Sequence, residues 1–259
     1  MRHRAAPRRS RPIAGLVLST TVLATALLVP TAPAQALSQG GRPATVATAA
    51  PAYVRPWAAT WSWTLYPGSS GAAVKAAQLR LSELGYWSGT ADGRYGPLTT
   101  QAVLAAQKTV GLRRTGVLDA ATRRLLVEGI RPQARTTVGT TFEVDLRRQL
   151  LLVVVNGHTR WAFNTSTGSG QVYYLYGRRY IAATPRGRFR FVRQVNGADN
   201  GPLGGLWRPK YFYQGYAVHG AAYVPAYPAS HGCVRLSDGA INYLWAAGLA
   251  PLGHPIWVY

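Results

Sequence analysis

Cys233 is the only cysteine in the 259 residues. It sits in Ser230-His231-Gly232-Cys233-Val234-Arg235-Leu236, downstream of Val218-His219-Gly220. A single cysteine cannot close an internal disulfide. It is a buried inert thiol, half of an intermolecular bridge, or a nucleophile. The neighbours favour the nucleophile. A free thiol with a pKa of about 8.5 is only a few per cent thiolate at neutral pH. A histidine within reach raises its nucleophilicity and can later return the proton to a leaving group. His219 and His231 both lie close enough in sequence for a loop to bring either to the sulfur. Gly232 leaves the backbone open, so amides around Cys233 could point at a developing oxyanion. A metal site built from His219, His231 and Cys233 lacks a fourth ligand and any Cys-x-x-Cys spacing, so neither a metal nor a cofactor is expected. A papain-like protease is excluded by order, because histidine precedes cysteine within one short segment.

The elements that must carry these residues read as β structure. Phe142, Val144 and Leu146 alternate with Glu143, Asp145 and Arg147, as in a half-buried strand. Leu150 to Val155 is a continuous apolar run, suited to a strand covered on both faces. Asn156-Gly157 supplies a tight hairpin turn, and residues 158–164 return as the partner strand, with His158 on the surface. Thr184-Pro185-Arg186-Gly187 leads into a further alternating strand, Arg188 to Val192. Two aromatic-rich loops lie between strands. One carries Tyr173, Tyr174, Tyr176 and Tyr180, with Gly177-Arg178-Arg179 at its tip; the other runs from Trp207 to Tyr216. The first is either a lid framing a substrate or a set of half-buried tyrosines. After Cys233, Ser237 or Asp238 caps a short helix that turns Ile241, Leu244 and Trp245 to the core and ends at Gly248. Residues 256–259 read as a terminal strand.

Upstream the period is helical. Gly68-x-x-Gly71-x-x-Val74-x-x-Ala77 recurs as Gly93-x-x-Gly96-x-x-Thr99-x-x-Ala102 and as Gly116-x-x-Asp119-x-x-Thr122-x-x-Leu125. Three helices follow. One starts near Ser70 and buries Val74, Leu81 and Leu84. One starts at Pro97 and buries Val103 and Ala106. One is capped by Asp119 and buries Leu125 and Leu126. The segment has no His and no Cys, hence no catalytic cluster.

The first twelve residues carry five arginines and no acid, and an apolar run follows from Ile13 to Pro30. Small-x-small cleavage sites come next, at Ala32-Pro33-Ala34 and Ala34-Gln35-Ala36. Residues 1–36 therefore read as a secretory signal peptide, with an uncleaved membrane anchor as the alternative. The residues around Arg8-Arg9 fit the twin-arginine route poorly. Residues 37–66, rich in Ala, Thr and Pro, read as a linker whose Trp57, Trp61 and Trp63 pack on a domain or touch sugar or lipid headgroups. Of the 29 basic and 8 acidic residues, removal of the five signal arginines leaves 24 against 8, a net charge of +16. Export and the lack of any nucleic-acid motif exclude a nucleic-acid role, so an anionic cell envelope is the expected partner, with a membrane involved only through the export signal.

Taken together, Val218-His219-Gly220 and Ser230-His231-Gly232-Cys233-Val234-Arg235-Leu236 resemble the active-site signature of the YkuD-type L,D-transpeptidases, bacterial cell-wall cysteine enzymes. The resemblance runs over residues 138–259, and its loop between His219 and Ser230 is shorter than is usual. Residues 67–130 resemble peptidoglycan-binding domain 1. That likeness rests on Val74, Gln78, Leu84-Gly85-Tyr86, Asp92-Gly93, Gly96, Thr99, Ala102-Val103, Gln107, Gly111-Leu112, Thr115-Gly116, Asp119 and Thr122; Ala106 stands where that family usually has an aromatic. The implied fold class is α+β and multidomain: a small three-helix peptidoglycan-binding domain, then a mostly β, sandwich-like catalytic domain.

The resemblance implies attack by Cys233 on a peptidoglycan stem tetrapeptide, release of D-Ala, and transfer of the acyl group to a neighbouring stem amine as a 3→3 cross-link. Water as acceptor would make an L,D-carboxypeptidase, and a protein amine a protein-to-wall linkase. It implies His219 as base and acid, oriented by a backbone carbonyl such as that of Gly220. It implies oxyanion amides from His231, Gly232 and Cys233, a turn hydrogen bond from Ser230, and an Arg235 that binds a substrate carboxylate or pairs structurally. Tyr173, Tyr174 and Tyr176 are further substrate-binding candidates. The helical domain either holds glycan or stem peptide or is a spacer. A non-catalytic wall-binding scaffold is the reading from another class.

Overall fold

The computed structural model describes residues 63–259. The signal-like segment 1–36, most of the linker, and Trp57 and Trp61 lie outside the described residues. Three helices come first: α1 (Ala72–Glu83), α2 (Pro97–Val110) and α3 (Ala120–Glu128). Pro97 opens α2, where its missing N–H costs nothing, and Gly111, at φ 74°, closes it in the left-handed region. The Asp119 carboxylate accepts the Thr122 amide at 2.8 Å and caps α3.

The internal repeat has a physical cause. Gln78 Oε1 accepts the Gly93 amide, and its Nε2 donates to Thr99 Oγ1. Gln107 does the same with the Gly116 amide and Thr122 Oγ1. Each glycine turn is tied to a threonine in the next helix through one buried glutamine, which satisfies polar groups that burial would otherwise strand. Folded structure already includes Leu65, whose backbone exchanges hydrogen bonds with Leu118, so the linker ends before its expected boundary. Trp63 is 68% exposed and is not packed into a core.

The rest of the chain forms two five-stranded sheets and a small hairpin. The first sheet has the order β3-β2-β1-β12-β6, built from β1 (Thr141–Asp145), β2 (Leu150–Val155), β3 (His158–Asn164), β6 (Gly187–Arg190) and β12 (Pro255–Val258). The second has the order β11-β10-β9-β7, with β8 also paired to β9. It contains β7 (Arg193–Gln194), β8 (Ala198–Gly201), β9 (Gly204–Tyr213), β10 (Tyr216–Ala221) and β11 (Val234–Ser237). The hairpin pairs β4 (Val172–Leu175) with β5 (Arg178–Ile181). Helix α4 (Asp238–Ala246) follows β11 and is capped by the Ser237 hydroxyl. The result is a helical region joined to a mostly β sandwich. Among the described residues no helix is long and apolar enough to cross a membrane.

The apolar run of β2 explains how the parts are joined. Its alternate side chains face opposite sides. Leu150, Leu152 and Val154 belong to the core of the three helices, whereas Leu151 and Val153 belong to the core between the sheets. The strand is covered on both faces, one of them by the helical domain. Helix α2 is buried on all sides from Ala102 to Lys108, as suits a helix held between its own domain and β3.

Three expectations change. The β1 strand is not half-buried: Glu143 is fully buried, because the face it shares with Leu152 of β2 is covered by the helical region and by the segment at Arg135 and Thr136. Its carboxylate is satisfied there by the amides of Arg135 and Thr136 and by the Tyr259 hydroxyl. The Tyr173–Tyr180 loop is instead the β4–β5 hairpin, turned through Tyr176 and Gly177 at φ 48° and 73°. Residues 207–213 belong to β9, which pairs antiparallel with β10. In both segments the alternation was masked, because tyrosines and arginines occupy both faces.

Since β2 is shared between the cores, residues 63–259 should unfold in a single calorimetric transition. Leu152→Ala, on the helical side, and Leu151→Ala, on the sandwich side, should each lower that one transition, by about 2–5 kcal/mol of stability. Two separate transitions would contradict the shared strand.

Candidate active site

Strands β10 and β11 run parallel with Val218 opposite Val234, His219 opposite Arg235 and Gly220 opposite Leu236. The pleat sends Val218, Val234 and Leu236 into the core between the sheets. His219 and Arg235 therefore share the other face, and Cys233, two residues before Arg235, enters on the same side. All three line one cavity of about 420 Å³, together with Tyr216, Ser230 and His231.

The turn before β11 is held from several directions. Ser230 Oγ donates to the Cys233 carbonyl at 2.6 Å and accepts the Gly232 amide at 3.0 Å. Thr184 Oγ1 donates to the Gly232 carbonyl at 2.7 Å. Gly232 has φ 143°, and a Cβ there would lie 2.5 Å from the Tyr216 ring and 2.9 Å from the Ala183 carbonyl. Both backbone conformation and space demand glycine. The Gly232 amide thus donates to Ser230 Oγ, whereas the resemblance implied an oxyanion donor there.

His219 is buried, and its Nδ1 lies 2.7 Å from the Gly220 carbonyl. A carbonyl only accepts, so Nδ1 carries the proton and Nε2 of the neutral ring is left as the acceptor. No acid is needed for this orientation. Burial pulls the imidazole down to about 4; the Gly220 bond partly opposes this, and the Arg235 guanidinium adds to it. Burial pushes the Cys233 thiol up, while the Ala217 amide and Arg235 pull the other way. The resting site is therefore a neutral thiol beside a neutral imidazole, which is the state a general base needs. Arg235 forms no ion pair among the described residues and opens onto the cavity, so its charge is available to an anionic ligand.

Of the tyrosines, Tyr173 lines the cavity, packs edge-on against His231 at 4.8 Å and stacks on Tyr180. The hairpin thereby reaches the site through one ring. Tyr174 and Tyr176 are 71% and 84% exposed and do not line the cavity. Gly220 serves packing: a Cβ there would lie 2.7 Å from Asp238 Oδ1 and from Ile241 Cγ2, and 2.8 Å from the Trp207 ring. The residues missed in the sequence are Thr184, Tyr216, Leu203 and Leu206. Nothing local to them signals the site, since each arrives from a different strand or turn.

Two variants test this geometry. Arg235→Gln removes the cation that holds the thiol down, so the pH midpoint of Cys233 alkylation by iodoacetamide should move up. The same change should also raise the acidic limb set by His219. Gly220→Ala should cost about 1–3 kcal/mol by overpacking, read as a lowered thermal midpoint.

Two family models match this chain: the peptidoglycan binding domain over residues 70–126 and the L,D-transpeptidase catalytic domain over residues 139–258. The crystal structure of an L,D-transpeptidase from Xylanimonas cellulosilytica is 47% identical, with a TM-score of 0.72, covering 75% of this chain and 98% of that one. An L,D-transpeptidase from Stackebrandtia nassauensis is 23% identical over 75% of this chain and 94% of that one, with a TM-score of 0.42. A zinc D-Ala-D-Ala carboxypeptidase from Streptomyces albus G is 44% identical over 68 residues, which span 24% of this chain and 26% of that protein. With nearly the whole of the Xylanimonas structure matched at that identity, and with the catalytic-domain model covering both sheets, the chain belongs to the L,D-transpeptidase family.

Proposed function

We propose that this protein is a cell-wall L,D-transpeptidase that forms 3→3 peptidoglycan cross-links through a Cys233 acyl-enzyme. The observation that carries the reading is the convergence on one cavity of Cys233, a neutral His219 and an Arg235 that has no ion pair among the described residues. The two domain matches imply peptidoglycan as the partner and suggest an extracytoplasmic location. The strongly basic composition suits an anionic envelope.

In this reading Arg235 binds a carboxylate of the stem tetrapeptide and aligns its scissile carbonyl with the thiol. Sγ attacks the carbonyl of the L-centre while its proton passes to His219 Nε2. The oxyanion is met by the amides of His231 and Cys233, since that of Gly232 is engaged. Collapse expels D-Ala, whose amine takes the proton back from His219, and a thioester remains. A side-chain amine of a second stem then attacks the thioester and gives its proton to His219; the C–S bond breaks, and the departing Cys233 Sγ takes that proton back. Water in its place would give L,D-carboxypeptidase activity, and a protein amine would give linkage of that protein to the wall. Tyr173, fixed on His231, would frame the donor; Tyr174 and Tyr176 would act only if the hairpin meets the glycan outside the cavity.

Intact-mass analysis with a disaccharide-tetrapeptide should show a gain equal to the donor minus D-Ala. The gain should be absent in Cys233→Ala and slowed about 10²–10⁴-fold in His219→Ala. Because His219 titrates at about 4, its base form already dominates at pH 6, and the acidic limb of acylation should fall well below the usual histidine range. No adduct and no D-Ala release by the folded protein would favour a wall-binding scaffold.

A further inference from the structure

The loop 221–229, which joins the His219 strand to the Cys233 turn, is fastened to the helical domain. Four successive carbonyls of this loop each accept a side-chain hydrogen bond. Gln101 Nε2 donates to Val224 at 3.1 Å, Asn164 Nδ2 to Pro225 at 3.5 Å, Arg114 Nη1 to Ala226 at 2.9 Å and Ser166 Oγ to Tyr227 at 2.8 Å. Two of these donors, Gln101 and Arg114, belong to α2 and the turn after it. A third, Asn164, is gripped by that region: its Nδ2 donates to Gln101 Oε1 at 2.5 Å, and its Oδ1 accepts from Lys108 Nζ.

Lys108 is 1% exposed, and its ammonium also donates to the carbonyls of Gln149 and Thr165, at 3.0 and 3.1 Å. From those two residues the connection reaches both sides of the nucleophile. Thr165 Oγ1 donates to the Arg235 carbonyl at 2.7 Å. Gln149 holds Thr167, whose carbonyl accepts the amides of Ala229 and Ser230. A lysine this deep with no acidic partner among the described residues is costly to keep, and burial together with Arg114 pulls it down to about 7. A domain that only tethered the enzyme to the wall would need a linker and not this contact.

We propose that the helical domain is a positioning element of the catalytic site, in which Gln101, Lys108 and Arg114 hold loop 221–229 and the end of β3, and so set the placement of His219 relative to Cys233. This rests on the reading that Cys233 and His219 carry the chemistry. It gives the helical domain a role apart from any binding of peptidoglycan.

The test uses the complete mature chain and the variants Gln101→Ala, Arg114→Ala, their double, and Arg114→Lys. Donor-dependent acylation of Cys233 is followed by rapid quench and intact mass, well below each variant's thermal midpoint and with near-ultraviolet dichroism as the check on folding. The double variant should acylate about 10–100-fold more slowly at saturating donor, as expected when reacting groups move by about an ångström. Its half-saturating donor concentration should stay within about twofold. Arg114→Lys, which keeps a donor, should recover most of the rate. Loss of stability alone would lower the thermal midpoint without this split or this rescue. Folded double variant acylating within about twofold of the parent would overturn the proposal. Should the double variant not fold, the two single variants decide by the same criterion. Iodoacetamide alkylation of Cys233 across pH is the substrate-free readout. A parent protein that never acylates sinks the transpeptidase reading, while an unchanged alkylation profile in the folded variants sinks the positioning role.

Discussion

The parallel pairing of β10 with β11 is the constraint on which the rest depends. Its register sets His219 opposite Arg235, and the two-residue period of the pleat does the remainder. Shifting that register by one residue would send His219 into the apolar core and bring Val218 into the cavity. Most of the surrounding structure resists such a shift. Val218, Val234 and Leu236 fill the core on the far side, Gly220 leaves room for Asp238, Ile241 and Trp207, and the Ser230 and Thr184 hydroxyls lock the turn before β11.

Within this frame the chemistry is tuned by burial more than by charge pairs. Desolvation raises the thiol and lowers the imidazole, so neither carries charge before substrate arrives. Arg235 is the neighbouring charge that acts on both groups. It moves both groups in the same direction, favouring thiolate and disfavouring imidazolium. With no acidic partner among the described residues, this cation eases ionisation of the thiol and leaves a positive charge facing the cavity. The orientation of His219 through a main-chain carbonyl suits this setting, since an acid beside the imidazole would raise its affinity for protons.

The helical and β regions share more than a boundary. One strand, β2, contributes alternate side chains to two cores, and α2 is buried on every side from Ala102 to Lys108. The small residues Ala102, Ala105 and Ala106 let α2 lie against β3, so the absence of an aromatic at position 106 suits the contact with the neighbouring domain. The buried Lys108 and the half-buried Gln101 join that interface to the loop before Cys233.

Local patterns in the sequence were enough for the helices, for the Asn156-Gly157 turn, for the doubly covered strand 150–155 and for the Ser230–Leu236 motif with its upstream His219. Each is a short-range signal: a period, a cap, a turn dipeptide, or adjacent reactive residues. The hairpin at 172–181 was only half legible, because its turn uses Tyr176 where Asn or Asp is usual. Glu143 looked exposed because alternation does not reveal that a second layer covers the polar face. The approach of Thr184 and Tyr216, and the donors from Gln101, Lys108 and Arg114, had no local trace at all. Those contacts join residues far apart in the chain, and only the packing of the sheets and the helical domain brings them within hydrogen-bonding distance.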